Sequence, residues 1–188
     1  MTRLILTAWL VLASAGTALA QSYDYRVLAT SKTSTMEKEM NESAEAGYSF
    51  HAVMGGETMG GNEVVVVMAK TAGAESANRK TYKLLATRKT STMEKELGEL
   101  GEEGFEYRGQ TVFDSAFGGR EVSVILERDG ATQARRFAYR VQATSKTSTM
   151  QKELQQVGRD GYKLMGMTVA KTSFGGNELV CILSKEVD

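Results

Sequence analysis

From Tyr23 onward the apolar positions follow one order of periods, and the order runs three times. The stretches "YRVLAT", "YKLLAT" and "YRVQAT" alternate with period two, which places Tyr25, Val27 and Ala29, Tyr82, Leu84 and Ala86, or Tyr139, Val141 and Ala143 on one face of a strand. The period then changes. Met36 and Met40, Met93, Leu97 and Leu100, and Met150, Leu154 and Val157 fall at i, i+4 and i+7, the single apolar stripe of a helix. Ala44, Gly101 and Gly158 continue that stripe with small residues that bring a helix close to a sheet. Gly47, Gly104 and Gly161 supply the left-handed residue of a helix C-terminus, and Tyr48, Phe105 or Tyr162 follows to fold back on the last turn. Two further strands close each copy: "SFHAVM" and "EVVVVMA", "EYRGQTV" and "EVSVILE", "KLMGMTV" and "ELVCILS". The unit reads β-α-β-β.

Tyr25, Tyr82 and Tyr139 recur every 57 residues, so the chain is a tandem triplication with copies at 23–70, 80–128 and 137–185. The small, polar stretches at 71–79 and 129–136 read as linkers. The last strand of each copy is the most continuously apolar, as in Val64 to Met68, which predicts a central strand covered on both faces. With the helix returning the chain, the predicted strand order is 1-3-2, all antiparallel, in an α+β fold. One helix covers one face of so small a sheet, and a unit of about 50 residues is marginal alone. Leu28, Leu85, Val65, Val67 and Ile125 are assigned to the uncovered face, through which the units are expected to pack as one pseudo-threefold body.

The opening "MTRLILTAWLVLASAGTALAQS" changes the picture of compartment. Arg3 gives a positive start, residues 4–16 are nearly all apolar, and Ala18 and Ala20 sit at −3 and −1 of a cleavage site, which predicts a signal peptide over residues 1–20. That run is shorter than the about 20 residues a spanning helix needs, so no transmembrane segment is expected in the mature chain. An exported protein of the bacterial periplasm or medium is the expectation. Removing Arg3 leaves a near-neutral chain with no basic stripe, which argues against nucleic acid as a partner. Cys181 is the only cysteine, so no intrachain disulfide can form; at the strand position of Val66 and Val124 it reads as a small buried hydrophobe.

The Tyr-led strand followed by "EKEMNESAEAGY", "EKELGELGEEGF" or "QKELQQVGRDGY" and then a hairpin resembles the bacterial family called domain of unknown function 4177, whose core reads roughly Tyr-x-Val, Glu-x-Leu-Asn, Gly-Trp. The likeness spans all three copies. The family's Trp stands here as Tyr48, Phe105 and Tyr162, its Asn is matched by Asn41, and the resemblance implies the fold but lends no activity.

One stretch, "KTSTM", returns unchanged at 32–36, 89–93 and 146–150. Ser34, Ser91 and Ser148 stand three residues before Glu37, Glu94 and Gln151, the spacing of a capping box contributing on the order of 1 kcal/mol per helix. Capping leaves the lysine unexplained, because a cation is disfavoured beside the positive end of a helix dipole. Lys32, Thr33, Ser34 and Thr35, Lys89, Thr90, Ser91 and Thr92, and Lys146, Thr147, Ser148 and Thr149 are therefore candidate sites for a small anion, the third expected to bind best because Gln151 removes a competing carboxylate. The bland reading is a helix cap with a solvated or locally paired lysine. At the hairpin tips, Met59, Phe117 and Phe174 precede glycine pairs and form a candidate partner surface for an envelope protein, against a plain turn with the ring tucked in. Glu63, Glu121 and Glu178 are candidates to pair across strands with Arg26, Lys83 and Arg140, against the plainer reading of solvated surface charge.

His51 is the only histidine, with Arg108 and Met165 in its place in the other copies, so neither a Ser-His triad nor a histidine metal site can be assembled. No catalytic residue, metal or cofactor is assigned. The expected function is an exported, soluble, non-enzymatic binding or structural module; the alternatives are small-anion binding at the helix N-termini and, more remotely, a carboxylate-based hydrolase.

Overall fold

The computed structural model describes residues 22–72, 80–115, 119–130, 135–171 and 176–187. The expected leader at 1–20 and the tip residues Phe117 and Phe174 lie outside the described residues. The first unit comprises β1 (Tyr23–Thr30), α1 (Thr33–Glu45), β2 (Ser49–Thr58) and β3 (Gly61–Thr71). The second comprises β4 (Lys80–Thr87), α2 (Thr90–Glu102), β5 (Glu106–Ser115) and β6 (Gly119–Asp129). The third comprises β7 (Arg136–Thr144), α3 (Thr147–Arg159), β8 (Lys163–Lys171) and β9 (Asn177–Val187). Each unit is an antiparallel three-stranded sheet with the strand order 1-3-2, as predicted.

The helices end as their glycines dictate. Gly47, Gly104 and Gly161 take φ of 90°, 88° and 86°, and the N–H of the residue after each donates back to the helix: Tyr48 to Ser43 O (3.0 Å), Phe105 to Leu100 O (2.9 Å) and Tyr162 to Val157 O (3.3 Å). That bond pattern turns the chain into the next strand with its aromatic residue against the last turn. The same β-bulge recurs early in the strand that follows, between Phe50 and Ala52, Tyr107 and Gly109, and Leu164 and Gly166.

The register corrects the assignment of faces. Leu28 lies opposite Val66 and Leu85 opposite Val124, so both leucines share the face that packs on their own helix, with Met36, Met40 and Met68 or with Met93, Leu97 and Leu126. The tyrosine face is the other one: Val27 lies opposite Val67, Leu84 opposite Ile125 and Val141 opposite Ile182. Period-two alternation sorts residues into two sets, and it cannot say which set meets the helix when both are apolar.

The first two helices are shared. α1 packs on its own sheet and on β4, and α2 packs on its own sheet and on β7. The second strands also touch in succession, β2 with β5 and β5 with β8. Ile125 consequently joins the core of the first unit, and Ile182 and Val180 join the core of the second. The units thus pack into one body, ordered as an open stack with two seams: among the described residues α3 and β1 form no seam comparable to these two. Burial of each large seam side chain stabilises the stack by about 1.5–3 kcal/mol, a gain that a single unit cannot make.

Candidate functional site

The structure places the KTSTM residues at the helix N-termini but redistributes their roles. Lys32, Lys89 and Lys146 are the N-cap residues, with no side-chain capping bond, and the helices start at Thr33, Thr90 and Thr147. The predicted capping box is therefore not made. The hydroxyl that orders this corner belongs to Thr30, Thr87 or Thr144, whose Oγ1 accepts the N–H of the lysine two residues on at 3.2–3.3 Å. Ser34, Ser91 and Ser148 are exposed, Thr35, Thr92 and Thr149 half-buried, and the methionine that follows is buried in every copy. Among the described residues none of the three lysine ammonium groups has an ion-pair partner.

Glu37 and Glu94, expected to fold back on their own helices, reach forward to the next unit instead. Glu37 Oε2 accepts the Leu84 N–H at 3.0 Å while Oε1 pairs with Lys83 Nζ at 3.1 Å. Glu94 repeats this with the Val141 N–H at 2.8 Å and Arg140 Nη1 at 2.9 Å. β4 and β7 are edge strands, whose outward N–H groups need a partner, and a carboxylate on the neighbouring helix supplies one. Lys83 and Arg140 are thereby engaged by the preceding helix rather than by Glu121 or Glu178, and Glu63 accepts from the Thr58 hydroxyl. Asn41 adds a two-way clamp in the first seam: its Nδ2 donates to Tyr82 O (3.0 Å) and its Oδ1 accepts the Tyr82 N–H (2.9 Å).

The repeated tyrosine completes each seam. Tyr82 OH accepts the Phe50 N–H at 2.8 Å and donates to Glu127 Oε2 at 2.6 Å. Tyr139 OH accepts the Tyr107 N–H at 2.8 Å and donates to Phe105 O at 2.8 Å. In both seams the phenol satisfies an N–H exposed by the β-bulge of the preceding unit. Burial pushes the pKa values of all three enclosed phenols up, that of Tyr107 to about 12; for Tyr82 the bond to Glu127 adds to burial.

Glu127, itself buried, pairs with Lys80 Nζ (3.1 Å) and Arg108 (2.9 Å) besides Tyr82. Arg108 continues to Glu106 (3.3 Å), and Arg135 links Glu106 (3.0 Å) to Glu186 (3.4 Å) in the third unit. Glu127, Arg108, Glu106 and Arg135 line a pocket of about 320 Å³ with Glu103, Arg128 and Asp129, and in it Glu106 and Glu127 are each held by at least one cation. A shallower groove of about 780 Å³ follows the second seam past Thr90, Ser91 and Gly98, where glycine stands in place of Asn41. Among the described residues no cluster of three His, Cys, Asp or Glu could hold a metal ion, and no helix is long and apolar enough to cross a membrane. Cys181 is buried as expected, and its thiol pKa is pushed up by burial and by Glu153.

Met59 stands fully exposed at its hairpin tip. The other exposed large hydrophobic residues among those described are Tyr23, Tyr25, Val27 and Met54 in the first unit and Leu164, Met167 and Val169 in the third, with none in the middle unit. The forward reach of Glu37 and Glu94 was missed in the sequence. Its signal was the change to Gln151 in the third copy, whose helix receives no following strand among the described residues. Comparison with protein-family models, with curated proteins and with solved structures finds no match to this chain.

Proposed function

We propose that the chain is an exported, non-enzymatic binding or structural module of the bacterial envelope, acting through the two uncovered ends of its repeat stack. One observation carries this reading. Tyr25 and Val27 are 53% and 67% exposed, whereas their counterparts Tyr82 and Leu84 are 0% and 9% exposed, and Tyr139 and Val141 4% and 9%. An edge strand with an apolar, uncovered face is a surface that soluble proteins ordinarily blunt with charge or cover with a partner. Export rests on the leader-like residues 1–20 and is checked by fractionation with N-terminal sequencing, which is expected to start near Gln21.

The binding reading is tested by placing a photoreactive amino acid at position 27 or, as a control, at the exposed Lys38 on α1, and irradiating living cells. The expected result is a discrete protein adduct from position 27 and none from position 38. Equal labelling from both positions, or none from either, would refute it.

The three lysines without ion-pair partners at helix N-termini support a second reading, weak binding of a small anion such as phosphate or sulfate. With Glu37 and Glu94 turned toward the next unit, the third site has no advantage over the other two. A melting temperature that rises with phosphate at constant ionic strength in the wild type, and rises less in Lys146→Ala, is the expected outcome of that reading; the same curve at every anion concentration rejects it.

A further inference from the structure

The two uncovered ends of the stack are complementary to each other, and we propose that the partner is a second copy of this chain, its β1 docked on α3 of the first. The proposal rests on the binding reading above and names its occupant. The template is already made twice inside the molecule, since α1 receives β4 and α2 receives β7. Among the described residues no strand is docked on the corresponding surface of the third helix.

Position by position, the exposed residues of one end find their counterparts at the other. At Glu37 and Glu94 stands Gln151, exposed, whose Oε1 can accept the Val27 N–H as the carboxylates accept those of Leu84 and Val141. At Asn41 stands Gln155, also exposed, an amide that can donate to and accept from the Tyr25 backbone as Asn41 does with Tyr82. Gly101 lies so near β7 that a Cβ there would come within 2.0 Å of Phe137 O, whereas a Cβ on its counterpart Gly158 would meet nothing within 4 Å. The third helix thus keeps the close-approach residue without the strand.

The second strands repeat the match. Tyr107 OH and Gln110 crowd Gly166, and Phe50 and Val53 crowd Gly109. The counterparts of those inserting side chains in the third unit, Leu164 and Met167, are 43% and 57% exposed, and the counterpart of the receiving glycines in the first unit is the small, exposed Ala52. Tyr25 of the second copy would then meet the Leu164 bulge, where Tyr82 and Tyr139 meet those of Phe50 and Tyr107.

The contact is heterologous, so repetition gives a filament or, where the rotation closes, a ring. It is also weaker than the internal seams. Gln151 replaces the charge that pairs with Lys83 or Arg140, and no linker holds the partners at the millimolar effective concentration that tethering provides. Association is therefore reversible and concentration-dependent.

The test is sedimentation equilibrium of the chain as it accumulates after expression, with its N-terminus read by mass spectrometry, from about 1 μM to about 1 mM, the range over which an untethered contact replaces a tethered one. Two variants block one end each: Val27→Asp on β1 and Gly158→Trp on α3. Both change exposed positions, and unchanged melting temperatures verify folding. The weight-average mass of the wild type is expected to rise at least twofold and to pass the dimer, each variant alone is expected to stay monomeric, and an equal mixture of the two to stop at the dimer. A wild type monomeric throughout would overturn the proposal, whether β1 is then covered by residues 1–21 or by a different protein. Loss of association in Val27→Asp but not in Gly158→Trp would overturn it in favour of edge-to-edge pairing of β1 strands. Photoadducts from position 27 to another protein, with a monomeric chain in solution, would reject self-association and keep the binding reading; no adducts at all would reject both.

Discussion

The second seam and the free ends are built from the same residue positions, one pair docked and one pair bare. Where α2 meets β7, Glu94 and Gly101 are committed to the strand in front of them, and Tyr139 is sealed beneath. Where α3 and β1 face outward, Gln151, Gly158 and Tyr25 stand exposed. The repeat is therefore not the stable unit of this fold. The energetic unit is a seam, assembled from the helix of one copy and the first strand of the next, so a chain of three copies has two seams and two unfinished ends.

The strongest way to break the comparison is alkali. Tyr82, Tyr107 and Tyr139 ionise in the unfolded chain near the ordinary phenol value of 10, whereas burial raises their folded values above it. The folded state then holds more protons than the unfolded state above pH 10, so stability is fully present below that pH and is lost as pH rises toward the folded values. Three such groups make the loss about 4 kcal/mol per pH unit once all three ionise on unfolding. Melting temperature measured from pH 9 to 12 is expected to fall steeply above pH 10, and less steeply in Tyr139→Phe.

Next in size is a pair of identical substitutions at equivalent sites. Gly101→Ala forces a methyl against the Phe137 carbonyl and is expected to cost about 1–3 kcal/mol by overpacking. Gly158→Ala meets open space and is expected to stabilise the monomer by up to about 1 kcal/mol through helix propensity. Urea denaturation of the two variants at low protein concentration separates them, and a destabilisation shared by both would mean that helix geometry rather than the seam governs this position.

A series at the seam carboxylate and its solvent-facing counterpart runs from a comparable loss down to the smallest expected effect. Glu94→Ala strands the Val141 N–H at the covered edge of β7 and is expected to cost about 1.5–3 kcal/mol. Glu94→Gln keeps an acceptor and loses only the half-exposed pair with Arg140, about 0–1 kcal/mol. Gln151→Ala, facing solvent, is expected to fall within about 0.5 kcal/mol of wild type. Equal losses for Glu94→Gln and Glu94→Ala would show that charge, not the strand-edge hydrogen bond, matters here.

The periods of the chain were enough to read the unit, its strand order and the glycine that ends each helix, because each is a local requirement of backbone or burial. Leu28 and Leu85 were assigned to the wrong face while Val65, Val67 and Ile125 were placed correctly, because both sets of first-strand positions carry aliphatic residues and only a register between strands ranks them. The capping box failed for a related reason. A spacing of three residues fixes where Glu37 sits on its helix, but the edge N–H of Leu84, 47 residues away, offers its carboxylate a better partner than the helix start does. Long-range partners of this kind leave one trace in a repeated sequence, which is the departure of the last copy from the other two.

The polarity of the seam also sets how such a chain can change length. Each copy carries a helix facing forward and a strand facing back, so adjacency, not identity, decides what docks. Excision of residues 80–136 would bring α1 up to β7, where Arg140 and Val141 present to Glu37 the cation and the N–H that Lys83 and Leu84 present now. The gene can therefore shed or add whole copies by unequal recombination, and every new junction arrives with both halves of its interface already written.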